Sequence, residues 1–148
     1  MKTIRRNIDI AIIITVLFVC GIIASLAAAV PPPSDFNTDR ILDAIRQVET
    51  GGCKNPSEAV GDGGKAIGPF QIHQSYWADA VEHDPSIGGV YADCKNEAYA
   101  RQIVIAYLSR YCKSWSDENV ARIHNGGPSG GKRKATVKYW QKVQKHLD

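Results

Sequence analysis

Between Ile10 and Val30 the chain carries no charged side chain, and Pro31, Pro32 and Pro33 follow at once. A helix-long run of that kind does not fit the amphipathic surface of a small soluble fold, so it confines the folding sequence to what comes after it. Lys2, Arg5 and Arg6 precede the run, and Ala27, Ala28 and Ala29 close it with small residues. This is the layout of a secretory targeting segment with a signal peptidase site. A run of about 20 residues is also long enough to cross a ~30 Å hydrocarbon core, so an uncleaved anchor is the second reading and cleavage the favoured one. In both, the basic end stays in the cytoplasm and everything after Val30 is expected outside it, secreted or anchored. Residues 1–30 are thus read as signal peptide or anchor, 31–38 as a stiff Pro-rich linker, and 39–148 as one compact domain, a length that suits a single core.

Within that domain the apolar periodicity is mainly helical. Asn37 or Thr38 can cap a helix bearing Ile41, Leu42, Ile45 and Val48, which stops at Thr50, Gly51 and Gly52. From Cys53 to Gly68 no helical period is visible, and the glycines around Asp62 predict tight turns within a small hairpin. A short helix is expected over Ser75–Val81, irregular chain over 82–93, and a long helix after Asn96. Ser116 can cap another that ends at Asn125, Gly126, Gly127 and Pro128, and Ala135–Leu147 forms the last, with lysines on its outer side. The fold class is therefore α+β, mainly α-helical, with one short β-hairpin region after the first helix.

Removal of residues 1–30 takes away Lys2, Arg5, Arg6 and Asp9, leaving 15 basic against 14 acidic side chains. The surplus is local: Lys132, Arg133, Lys134, Lys138, Lys142 and Lys145 crowd the C-terminal segment, a patch that suits an anionic surface and equally a solvated helix face. Cys20 lies in the targeting segment, which leaves Cys53, Cys94 and Cys112. The ends of a helix over 96–112 stand more than ~20 Å apart, too far for Cys94 to reach Cys112, so a disulfide from Cys53 to one of the other two is expected. The histidines lack metal-ligand spacing, and no metal or other cofactor is expected. Gly126 to Lys132 has the glycine and lysine spacing of a phosphate-binding loop, but Arg133 stands where Ser or Thr is required. No motif supports a serine or cysteine nucleophile, and the basic tail is too short to argue for nucleic acid.

Two carboxylates stand out. Glu49 falls in the last turn of the first helix beside its apolar stripe, where the negative end of the helix dipole and partial burial both favour the protonated acid. Asp62 stands among glycines in a polar turn that favours the anion. Taken singly, each is more often a structural residue. As a pair they form the split that glycosidic hydrolysis requires, one group to protonate the departing oxygen and one to stay charged.

Several stretches then carry a resemblance: Val48-Glu49-Thr50-Gly51-Gly52-Cys53, Gly68-Pro69-Phe70-Gln71-Ile72 with Tyr76-Trp77, and Ala121-Arg122-Ile123-His124-Asn125-Gly126-Gly127-Pro128. Together they resemble the invertebrate-type lysozymes and destabilases over about residues 39 to 147. The resemblance implies a small lysozyme-like fold and retaining hydrolysis of the β-1,4 bonds of bacterial peptidoglycan. It assigns Glu49 as general acid and base and Asp62 as nucleophile or stabiliser, with Gln71, Ile72, Tyr76, Trp77, His124, Asn125 and Gly126 lining the sugar cleft. It further implies a bacteriolytic enzyme acting on the bacterial wall, and a monomer is expected. Isopeptide cleavage, which the likeness ties to a serine before Phe-Gln-Ile and a lysine after it, is not expected here, since the loop reads Gly63-Gly64-Lys65-Ala66-Ile67 and the later position is His73. Relatives of this type are disulfide-rich, whereas this domain holds three cysteines, so packing must supply more of its stability. The competing reading is a non-catalytic cationic wall-binding protein that keeps the cleft without the chemistry.

Overall fold

The computed structural model describes residues 29–147. The segment read from the sequence as a targeting signal or anchor, except for its last two residues, lies outside them, as do Cys20 and Asp148. Five helices carry the fold: α1 (Thr38–Thr50), α2 (Gln74–His83), α3 (Glu97–Tyr111), α4 (Asp117–Gly126) and α5 (Val137–Gln144). Between α1 and α2 three two-residue strands, β1 (Val60–Gly61), β2 (Ala66–Ile67) and β3 (Ile72–His73), form an antiparallel sheet in that order. Val60 lies opposite Ile67, and Ile67 opposite Ile72. The mainly helical α+β class holds, and the hairpin gains a third strand because the Phe70-Gln71-Ile72 segment folds back onto β2.

The helices begin where small polar side chains can satisfy the first free N–H groups. The Asn37 side chain accepts from the Arg40 amide, Asn96 from that of Tyr99, and Ser116 from that of Asn119. α3 is the hub, burying Ala100, Ile103, Val104, Ala106, Tyr107 and Leu108 and packing against both α2 and α4. Ile41, Leu42 and Ile45 of α1, with Phe70, Ile72, Val120 and Val143, complete a single core of fully buried side chains. Each contributes about 1.5–3 kcal/mol by leaving water. α2 and α5 depart from the expected bounds: α2 extends to His83, whereas the α5 region opens with a 3₁₀ turn, Lys134–Thr136, before the helix begins. The irregular stretch 82–93 contains the 3₁₀ turn Pro85–Ile87, and a second, Tyr91–Lys95, begins within it.

The proline connector is held against the domain. The Val30 amide donates to the Ser109 carbonyl at 3.0 Å, and Trp115 Nε1 donates to the Val30 carbonyl at 2.8 Å. Phe36 then meets the Trp115 ring edge-on at 5.5 Å.

The expected disulfide does not form among the described residues. Cys53, Cys94 and Cys112 are all free thiols. Cys53 follows the turn that ends α1 and points to solvent, while Cys94 and Cys112 are buried at the two ends of α3. Cys112 instead donates to the Ser114 carbonyl. Among the described residues no helix is long and apolar enough to cross a membrane.

Candidate active site

Glu49 is placed by the way α1 ends. The next residue, Thr50, is buried and donates from Oγ1 to the Pro69 carbonyl at 2.9 Å, which pins the helix terminus to the segment leading into β3. The Glu49 side chain is left 19% exposed, enough to meet solvent on one side only. Burial pushes its carboxyl above the ordinary carboxylate range, against the opposing effects of a hydrogen bond from Tyr139 and the charge of Lys142. Tyr139 Oη donates to Glu49 Oε1 at 2.6 Å, a short bond of the charge-assisted kind.

His124 Nε2 stands 3.8 Å from the same oxygen, yet the pair is not an ion pair at neutral pH. Burial pulls the imidazole down to about 4, with only a hydrogen bond to the Phe70 backbone supporting its charged form. The ring is fixed from its other side by Tyr76, whose Oη lies 3.2 Å from Nδ1. Tyr76 in turn stacks on Tyr107 at 3.6 Å. The wall behind Glu49 is therefore largely aromatic, with a neutral imidazole, and Lys142 is the cation whose charge reaches the carboxyl.

Asp62 occupies the opposite kind of setting. It opens the 3₁₀ turn Asp62–Gly64, is 64% exposed, and has His73 Nε2 at 3.5 Å. Asp62 (φ 49°) and Gln71 (φ 48°) are the two non-glycine residues with left-handed backbone among those described. Such conformations cost free energy and collect at functional sites. Gln71 is held there by its own amide, which donates to the Gly68 carbonyl at 2.9 Å.

Both carboxylates line one cleft of about 300 Å³, together with Gln71, Ile72, Tyr76, His124 and Asn125. Seven of the nine residues singled out in the sequence thus share a single surface. Trp77 and Gly126 do not line it: Trp77 donates from Nε1 to Tyr99 Oη at 3.0 Å and packs near Tyr91, while a side chain at Gly126 would run into Thr136. Ala66 and His73 line the cleft and Tyr139 backs it, and no feature of the sequence singles them out for that surface. In the sequence His73 stood out only as the residue after Ile72 and as one of the histidines without metal-ligand spacing, and Tyr139 only as part of the Tyr139-Trp140 pair that extends the family resemblance. No group of three His, Cys, Asp or Glu side chains that could hold a metal occurs among the described residues.

A family model described as Destabilase matches residues 38–146. The chain belongs to the destabilase family. This destabilase-family chain is 33% identical to a lysozyme of Meretrix lusoria over 114 residues, covering 73% of itself and 88% of that protein. It is 35% identical to an invertebrate-type lysozyme of Ruditapes philippinarum over 113 residues, covering 73% and 80%. The crystal structure of Tapes japonica lysozyme superposes with a TM-score of 0.61 at 35% identity, covering 72% of this chain and 87% of that one. A Meretrix lusoria lysozyme bound to Aeromonas hydrophila PliI superposes equally well, at 0.61. The destabilase-family match covers the helices and the sheet that carry the cleft.

Proposed function

We propose that this destabilase-family protein is a lysozyme, a glycoside hydrolase that cleaves the β-1,4 bonds between N-acetylmuramic acid and N-acetylglucosamine in bacterial peptidoglycan. The observation that carries the reading is the pairing, on one cleft, of a buried carboxyl with raised proton affinity and an exposed carboxylate in a polar turn. Glu49, protonated, gives its proton to the departing glycosidic oxygen. Asp62, ionised, meets the positive charge that develops at the anomeric carbon, as nucleophile or as electrostatic stabiliser. Glu49, now a carboxylate, removes a proton from the incoming water, and the configuration at that carbon is retained. Gln71 and Asn125 offer amides to sugar hydroxyls, while Ile72 and Tyr76 offer apolar surface to ring faces. The protein works outside the cytoplasm, as a monomer on the bacterial wall, after its targeting segment has directed it there.

The test is clearing of a Gram-positive cell suspension by the wild-type protein and by Glu49→Gln. Removing a general acid costs about 10²–10⁴-fold in rate, so clearing should vanish while wall binding persists. Equal clearing by both proteins would establish a non-enzymatic, cationic mode of action instead. Product analysis of digested peptidoglycan identifies the new reducing-end sugar and its anomer.

A further inference from the structure

Tyr139 takes part in none of the steps above, yet among the described residues its hydroxyl is the only group that hydrogen-bonds the Glu49 carboxyl. It reaches that position because α5 packs against α1, so a residue 90 positions later in the chain closes over the catalytic end of α1. Burial first, and then the neighbouring Glu49 carboxylate, hold the Tyr139 phenol protonated far above the ordinary range. At any working pH the phenol is therefore a donor and cannot exchange roles with Glu49. The remaining groups around the carboxyl are the neutral His124 on α4, Lys142 on α5 and Tyr76 on α2, with Asp62 and His73 at the far wall of the cleft. None of these is within hydrogen-bond distance of Glu49.

We propose that Tyr139 is a positioning residue for the hydrolysis: by holding a permanent donor on Oε1, it confines the transferable proton of Glu49 to Oε2 and steadies the carboxylate left when that proton departs. The inference rests on Glu49 as general acid. A carboxyl has two equivalent oxygens, and without such a donor its proton exchanges between them. With Oε1 occupied by an O–H at 2.6 Å, only Oε2 has room for the proton. The same bond is stronger to the anion than to the neutral acid, which keeps the proton affinity of Glu49 from rising as far as burial alone would take it.

The experiment compares the full-length wild type with Tyr139→Phe, which keeps the ring and removes the donor. kcat and KM on a soluble peptidoglycan oligosaccharide are measured across pH, alongside the carbon-13 titration of the Glu49 carboxyl. The alkaline limb of kcat/KM and the carbon-13 midpoint should both move up by about one pH unit in the variant. kcat should fall roughly tenfold at the optimum while KM stays within about twofold. A variant that is slower at every pH, with limb and midpoint unmoved, would overturn the proposal in favour of simple packing. If the wild type hydrolyses nothing, the carbon-13 midpoints still decide the role of Tyr139, and only the lysozyme reading falls. Should Tyr139→Phe fail to fold, 3-fluorotyrosine at position 139 supplies a stronger donor of nearly the same shape. Both midpoint and limb must then move down, and their failure to move counts against the proposal.

Discussion

Glu49 and His124 stand against the same wall of the cleft, and burial moves them in opposite senses because it penalises whichever form bears charge. For His124 the folded-state value of about 4 lies below the unfolded 6.5, so the unfolded chain binds its proton first. Stability from this residue is complete above about pH 6.5 and is lost as the pH falls through 4, by up to about 3 kcal/mol. Urea unfolding of His124→Gln should show a flatter pH dependence than the wild type across that window. Glu49 runs the other way. Its folded value is raised, so the ionised form costs stability at neutral pH and the cost fades on acidification. Glu49→Gln should therefore unfold at a higher urea concentration than wild type at pH 7, and the difference should disappear as the pH falls into the range where an ordinary carboxyl takes up its proton. These residues differ in how far the sequence exposed their roles. Glu49 could be singled out because its place in the last helical turn, beside an apolar stripe, contrasts with the polar turn of Asp62 and falls within a stretch that carries the family resemblance. Tyr139 was not, because nothing local to Lys138-Tyr139-Trp140 says that α5 will lie across α1. Trp77 misled for a chemical reason: an aromatic ring suits a sugar face, but an indole N–H also needs a partner when buried, and Tyr99 supplies it.

The helices were the readable elements. Apolar spacing set their faces, and Asn37, Asn96 and Ser116 set their starts, since each offers a side-chain acceptor to an amide three residues on. Asn96→Ala should cost about 1 kcal/mol in thermal or urea unfolding and leave hydrolysis unchanged, because α3 carries no cleft residue. The sheet was harder to read. Two-residue strands have no alternation to detect, and β3 exists only because the chain turns back at Gly68 and Gln71. Gly68 has φ 73°, and a side chain there would strike the Cys94 carbonyl. Gly68→Ala should destabilise by about 2 kcal/mol and also reduce activity, since the same turn presents Gln71 and Ile72 to the cleft. A loss of stability without loss of activity would show that the turn is not what places them.

At the scale of the whole molecule, stability comes from one packed core without a covalent cross-link among the described residues. The disulfide expected from the cysteine count was not legible because pairing is decided by distances that only the assembled fold sets. A thiol reagent should modify Cys53 in the native domain and reach Cys94 and Cys112 only on unfolding, since burial lifts Cys94 to about 12 and also raises Cys112. A reductant should leave the melting temperature within about 1 °C. The left-handed backbone at Asp62 and Gln71 has a further consequence for anyone seeking a hardier form of the protein. A glycine at either position would relax the chain, and a screen scored on heat resistance alone would select it. That screen would discard two side chains that line the cleft and, in the proposed mechanism, meet the substrate, so durability and catalysis would compete there for the same two bond rotations.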